Sequence, residues 1–301
     1  GVPEFGTDFA MQMLKETKPK CFSDLARIAG LSHGTNVWLN NTQELINSGK
    51  CDLQSAICTR DDIMTYLIGM GLESGTAFKI MENVRKGKVA GHKCDKWDEW
   101  KTVMLEHDVP EWYIWSCERI EYMFPKAHAV AYVMMAVRIA YYKVYFPLAY
   151  YAAYFAIRAS GFDYELMCLG ADKLNEHIKD YKARSGSLSQ KEQDSYKDMR
   201  VVQEMYARGI DFMPIDIYLA KAHKFQIFDN KIMPALDTID GLGDKAADSV
   251  EEAAKMGEFL SRDDFRKRTK LSTTAVETMH RLGLLPGLPE SNQLSILDIF
   301  A

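Results

Sequence analysis

The chain has 301 residues, 47% of them hydrophobic, and a formal net charge of −5. That length and composition support a substantial core, in one large domain or two smaller ones. The acidic balance argues against a uniformly cationic nucleic-acid binder, but basic patches still act within a Debye length of about 8–10 Å.

In chain order, Gly1-Val2-Pro3-Glu4-Phe5 reads as mid-protein sequence with no leader pattern, so a fragment of something longer is expected. Apolar spacing predicts helices over 7–16 and 22–29, the second with Ser23 as a cap, then over 61–70 and 74–86 around Gly71. Residues 87–101 form a polar loop. Helices follow over 97–107, 111–123 and 126–146, and Pro147 restarts helix through 159. The apolar run from Ala127 is interrupted by Arg138 and Lys143, which suits a buried helix better than a membrane span of about 20 apolar residues. Amphipathic helices are expected over 163–180 and 189–208. The segment 224–233 then reads as a β-hairpin turning on Asp229-Asn230, with a small second module from residue 213. The fold class is therefore mainly α: a multi-helix domain, then a module with one β-hairpin.

Six scattered cysteines show no Cys-x-x-Cys spacing and read as free thiols of a cytosolic protein. Cys94 with His92 gives too few ligands for zinc. Ser32 and His33 lack a hydrolase motif, so Leu31-Ser32-His33-Gly34-Thr35 reads as a polar surface loop.

Two segments carry stronger signals. In Phe124-Pro125-Lys126-Ala127-His128, Pro125 sets up a helix start and two cations fall in its first turn, which opposes the helix dipole. Either an anion such as a phosphate binds there, or this is a core helix with a polar first turn. In Asp240-Gly241-Leu242-Gly243, with Lys245 after it, two glycines permit a tight turn with exposed N–H groups ahead of a helix through about residue 256. This is the helix–hairpin–helix pattern for gripping nucleic-acid phosphates; a plain glycine-capped turn is the alternative. Arg262, Arg266, Lys267, Arg268 and Lys270 form a basic patch beyond it, followed by a second helical pair at 273–281 and Gly283. Arg85, Lys86 and Lys88 read as a solvated face. No Asp-x-Asp occurs, and Asp61-Asp62 and Asp263-Asp264 fit helix capping better than metal binding. The apolar tail Gln293-Leu294-Ser295-Ile296-Leu297 either folds back or serves as a peptide ligand.

These segments resemble, in order, the PolC-type DNA polymerase III alpha subunit. The resemblance rests on residues 1–7, 30–35, Arg60-Asp61-Asp62-Ile63-Met64, residues 108–113, Tyr122 to Tyr132, Gly241-Leu242-Gly243 and Gln293-Leu294-Ser295. It implies that 1–212 is the fingers domain, on the side of the incoming nucleotide. Residues 213–301 would be a duplex-gripping helix–hairpin–helix module with a clamp-binding tail. Lys126 and His128 would bind the dNTP triphosphate, with Arg60, Lys79 and Arg85 as further phosphate contacts and His33 and Tyr132 near the nascent base pair. Gly241, Gly243, Lys245 and the 262–270 patch would touch DNA. Gln293, Leu294, Ile296 and Leu297 would contact the sliding clamp, although Ile296-Leu297 replaces the usual Leu-Phe. No metal ligand or catalytic residue is expected in this chain, because the Mg²⁺-binding aspartates would lie upstream. Primer–template DNA, dNTP, sliding clamp and other replisome subunits are the implied partners, with no membrane and a cytoplasmic location. A non-enzymatic DNA-binding or clamp-tethering module is the alternative.

Overall fold

Side-chain caps set many of the helix starts in the computed structural model, which describes residues 1–292. Thr7 caps α1 (Asp8–Thr17) by accepting from the Ala10 N–H. Cys21 precedes α2 (Phe22–His33), and Asp24 reaches back to the Lys20 and Cys21 N–H groups. Ser23, the expected cap, lies inside the first turn, and the helix runs past Ala29. A kinked turn over Trp38–Thr42 and a short α3 (Gln43–Asn47) follow, which no periodicity announces. Asp62 and Thr59 form a capping box on α4 (Arg60–Gly69), and the Glu73 carboxylate caps α5 (Ser74–Arg85).

Next come α6 (Trp97–Glu106), α7 (Glu111–Cys117), α8 (Lys126–Tyr145) and α9 (Pro147–Ile157). α7 stops well short of residue 123, because Tyr122 leaves the helix to bridge to Thr35. The helix expected over 163–180 is two pieces, α10 (Tyr164–Met167) and α11 (Ala171–Ala183). Gly170 between them has φ +101°, outside helical geometry. A Ser189/Glu192 capping box starts α12 (Gln190–Ala207).

β1 (Gln226–Phe228) and β2 (Lys231–Met233) pair antiparallel, Ile227 opposite Ile232. Asp229 and Asn230 both have positive φ, as a two-residue hairpin turn requires. The last helices are α13 (Asp244–Ala254), α14 (Arg262–Thr269) and α15 (Thr273–Arg281). Among the described residues the fold is mainly α with one two-stranded sheet.

Contacts divide the chain into two compact units, one of Val2–Ala140 and one of Tyr141–Ala301 with Gly1. The first centres on Ile63, Leu67, Ile80, Met104, Tyr113 and Ile120, all essentially buried. The second contains a core of Leu236, Ile239, Leu242, Val250, Phe265 and Met279. This division falls within α8, whereas the change in sequence character comes near residue 213. The reason is local. Lys143 pairs with Glu204 of α12 at 2.7 Å, and α9 packs on β1 and β2, so residues 141–212 stay with the hairpin and the C-terminal helices.

α8 departs from the buried helix expected of it. Ala129, Val133 and Ala136 form its one fully buried stripe, while Tyr132, Met135, Tyr141, Tyr142 and Tyr145 are exposed. Among the described residues no helix is long and apolar enough to cross a membrane.

Candidate functional site

Four separate segments meet where α8 begins. Thr35 N–H donates to the Tyr122 carbonyl (2.9 Å), Met123 N–H to the Arg85 carbonyl (3.3 Å), and Arg60 N–H to the Phe124 carbonyl (3.2 Å). Gly34 allows the first approach, since a Cβ there would lie 2.8 Å from the Tyr122 carbonyl oxygen. Residues 33–35, 60–62, 85 and 122–126 thus share one location.

At that location Lys126 is exposed, with Nζ 3.5 Å from Asp62 Oδ1. Its backbone N–H donates to Asp61 Oδ2 at 2.6 Å. The chain therefore supplies one anion to this helix start itself. The next two N–H groups, of Ala127 and His128, have no partner among the described residues.

The His128 ring does not stand free. It stacks on Phe124 (4.9 Å between centroids, 21° between planes) and lies 4.5 Å from Tyr132. Tyr122 and His33 each approach Phe124 edge-on, at 5.2 and 5.8 Å. The result is a ladder of rings along the exposed side of α8, with Tyr132 half exposed. Such a surface suits the flat face of a nucleobase. His33 also meets the Glu4 carboxylate, and Ser32 Oγ donates to the Ala29 carbonyl, so Ser32 and His33 do not act as a pair.

The remaining predicted phosphate contacts differ in availability. Arg60 is half-buried at the junction. The Arg85 guanidinium is held by Glu82 in a two-point ion pair, which raises the Arg85 pKa and lowers that of Glu82 to about 2. Lys79 is exposed on α5, and no contact brings it to Lys126. The sequence reading missed Phe124 and Tyr122 as members of the ring ladder, and Asp61 as the partner of α8. Aromatic spacing around Pro125 signals the first; nothing local signals a contact across 65 positions.

In the C-terminal unit Gly241 has φ +85° and Leu242 is buried in the core. Gly243 precedes α13 without a side-chain cap. The N–H groups of Gly241 and Gly243 have no partner among the described residues, and Lys245 is exposed beside them. The turn between α14 and α15 repeats this shape. Lys270 is left-handed (φ +59°), Leu271 is buried and Ser272 caps α15 through the Ala275 N–H (3.1 Å).

The basic patch splits in two. Lys267 and Lys270 are exposed, and Arg266 reaches Thr273 and Asp263 at the surface. Arg268, in contrast, bonds the Ala253, Gly257 and Glu258 carbonyls and covers the Phe259 ring at 4.2 Å. Arg262 is half-buried, with its guanidinium 3.8 Å from Glu290. On either side of the Gly241–Gly243 turn, Asp237 and Asp248 hold His223, whose Nδ1 lies 2.7 Å from Asp237 and Nε2 3.1 Å from Asp248, a clasp that raises the imidazole pKa. Gln293, Leu294, Ile296 and Leu297 lie outside the described residues.

Residues 1–108 match the bacterial DNA polymerase III alpha subunit finger domain, and residues 209–294 match the helix-hairpin-helix motif. The chain is 50% identical over 296 residues to the DNA polymerase III PolC-type of Clostridium perfringens, covering 98% of this chain and 20% of that protein. Over nearly its whole length the chain is similar to a segment of PolC-type DNA polymerase III. Its PolC-type relatives in Caldanaerobacter subterraneus and Staphylococcus saprophyticus are 48% and 49% identical, over 98% and 99% of this chain and 21% and 20% of theirs. The chain thus spans about a fifth of the length of the curated relatives it matches. The finger-domain match includes the Arg60-Asp61-Asp62 turn, and the helix-hairpin-helix match includes both glycine- and lysine-led turns.

Proposed function

We propose that this chain is the incoming-nucleotide side and the duplex grip of a replicative DNA-directed DNA polymerase. The single observation that carries the reading is the start of α8. An exposed lysine and two unpartnered N–H groups lie beside a ladder of rings that includes His128, a combination that suits a triphosphate and its base. Lys126 balances phosphate charge, and its contribution grows as negative charge develops in the transition state. His128, stacked between Phe124 and Tyr132, contributes mainly as part of the ring surface. Arg60 stands at the junction as a further phosphate contact.

The duplex grip belongs to the Gly241–Lys245 and Lys270–Ser272 turns, with Lys267 and Arg266 beside the second. Backbone N–H groups aimed outward from a glycine turn hold a phosphate without reading bases. Residues 1–212 then act on the nucleotide side and 213–301 on the duplex. Sliding-clamp binding through the tail, contacts with other replisome subunits and a cytoplasmic setting complete the proposal.

Mg²⁺ in such an enzyme polarises the reacting phosphate. The carboxylates nearest Lys126 do not suit it: Asp61 accepts the Lys126 N–H, and Asp62 accepts from Cys58 N–H, Thr59 N–H and the Thr59 hydroxyl. The ligands of the ion would lie elsewhere in the full-length protein.

The test is nucleotide addition on a primed template by the full-length polymerase. Lys126→Ala should lower kcat/KM for the nucleotide at least tenfold, about 1.4 kcal/mol. An efficiency within twofold of the parent would rule out the assignment.

A further inference from the structure

The first turn of α4 grips the start of α8 with three consecutive residues. Arg60 N–H donates to the Phe124 carbonyl (3.2 Å), Asp61 Oδ2 accepts the Lys126 N–H (2.6 Å), and Asp62 Oδ1 stands 3.5 Å from Lys126 Nζ. Asp62 is itself anchored by the Cys58 and Thr59 N–H groups and the Thr59 hydroxyl, and its carbonyl accepts from the buried Tyr113 hydroxyl at 3.4 Å. Asp61 is different. Its carboxylate is not needed to cap its own helix, because Asp62 does that. It crosses instead to the first N–H of α8.

We infer that Asp61 is a positioning residue for nucleotide addition, fixing the first turn of α8 so that Lys126 Nζ and the His128 ring face the incoming nucleotide. This rests on the triphosphate reading of Lys126. A lysine side chain has four flexible carbons, and the reach of its ammonium depends on where its backbone is held. A carboxylate on the first N–H satisfies one orphan donor and complements the helix dipole, which fixes that backbone. It also occupies the N–H nearest the helix end. The triphosphate is thereby directed to Nζ and to the Ala127 and His128 N–H groups. The opposite role is physically possible: a carboxylate that merely competes with the triphosphate would weaken nucleotide binding, and its removal would tighten it.

The two roles give opposite signs in one experiment. Asp61→Ala, Asp61→Asn and Lys126→Ala are made in the full-length polymerase, and steady-state nucleotide addition and primer–template affinity are measured. A positioning role predicts about a tenfold rise in nucleotide KM for Asp61→Ala, with kcat and primer–template affinity within twofold. Asp61→Asn keeps an acceptor for the Lys126 N–H and should restore KM to within about twofold. A KM for Asp61→Ala that is unchanged or lower overturns the inference, as does an Asp61→Asn enzyme as impaired as Asp61→Ala. If Asp61→Ala does not fold, Asp61→Ser supplies the same reading, since its short hydroxyl cannot span to α8. Lys126→Ala separates the two levels. If its KM rises while Asp61→Ala is normal, only the positioning role fails; if its KM is unchanged, the triphosphate reading itself fails.

Discussion

The starts of α8 and α13 are two helix ends that the sequence marks for anions, and the structure treats them differently. At α8 a carboxylate from the same chain already sits on the first N–H, and a lysine and aromatic rings stand around it. At α13 the cap is Gly243, which has no side chain to offer, although Ser189, Ser261 and Ser272 cap α12, α14 and α15. The first end is built from side chains and suits a ligand recognised by charge and ring stacking. The second is open backbone and suits a phosphate whose neighbours vary with DNA sequence. The consequence for mutagenesis is direct: α8 should be sensitive to side-chain removal at Lys126, and α13 to anything that changes the shape of the turn.

The sharpest test of that contrast is Leu242. It is buried in the C-terminal core and holds the two glycines in place. Leu242→Ala removes buried methyl groups from a well-packed site, with an expected stability loss of about 2–5 kcal/mol. Denaturant unfolding of the 301-residue chain should show it, and duplex binding should weaken although no charge has changed. Duplex affinity unaffected by a destabilised turn would show that DNA is held elsewhere.

Lys245 gives a smaller and more specific signal. Each phosphate neutralised by a protein cation contributes about −0.9 to the slope of log affinity against log salt. Lys245→Ala should therefore flatten that slope by about one unit and weaken binding equally for different duplex sequences. Arg268→Ala is the control. Its guanidinium is committed to three backbone carbonyls of the α13 end and to Phe259, so it should lower stability and leave the salt slope unchanged. A flattened slope for Arg268→Ala would return that residue to the DNA interface.

Much of this was legible in the sequence because it is local. Pro125 and Pro147 mark helix starts, Asp229-Asn230 marks the hairpin, and Gly241-Leu242-Gly243 marks the open turn, each through its own backbone preference. What was not legible depends on distance along the chain. Asp61 and Asp62 are adjacent and look alike, yet one caps its own helix and the other crosses to α8. Arg268 and Lys267 are neighbours in a basic run, yet helical geometry turns one onto carbonyls and the other to solvent. The exposure of α8 was misread because its apolar residues surround the helix, and composition alone does not say which of them another segment covers.

The smallest expected effect tests whether the open turn borrows order from its surroundings. His223 bridges Asp237, ahead of the Gly241–Gly243 turn, and Asp248, on α13 beyond it. The groups facing it also include Asp244, while Glu251 next to it accepts from the Ala222 N–H, which with Lys255 and Lys221 brings the Glu251 pKa to about 2. Asp237 first, then Asp248, raises the imidazole pKa above its ordinary 6.5. A raised folded value means that the clasp contributes fully below pH 6.5 and is lost as pH climbs through that raised value. His223 is exposed, so the effect is modest: at low salt, parent and His223→Gln should differ in Tm by about 1–2 °C below that window and converge above it. Duplex affinity measured across the same window then separates two possibilities. If the clasp orders the Gly241–Gly243 turn, the parent loses affinity with rising pH more steeply than His223→Gln. If Leu242 alone sets the turn, the two affinity curves run parallel while the melting curves still converge.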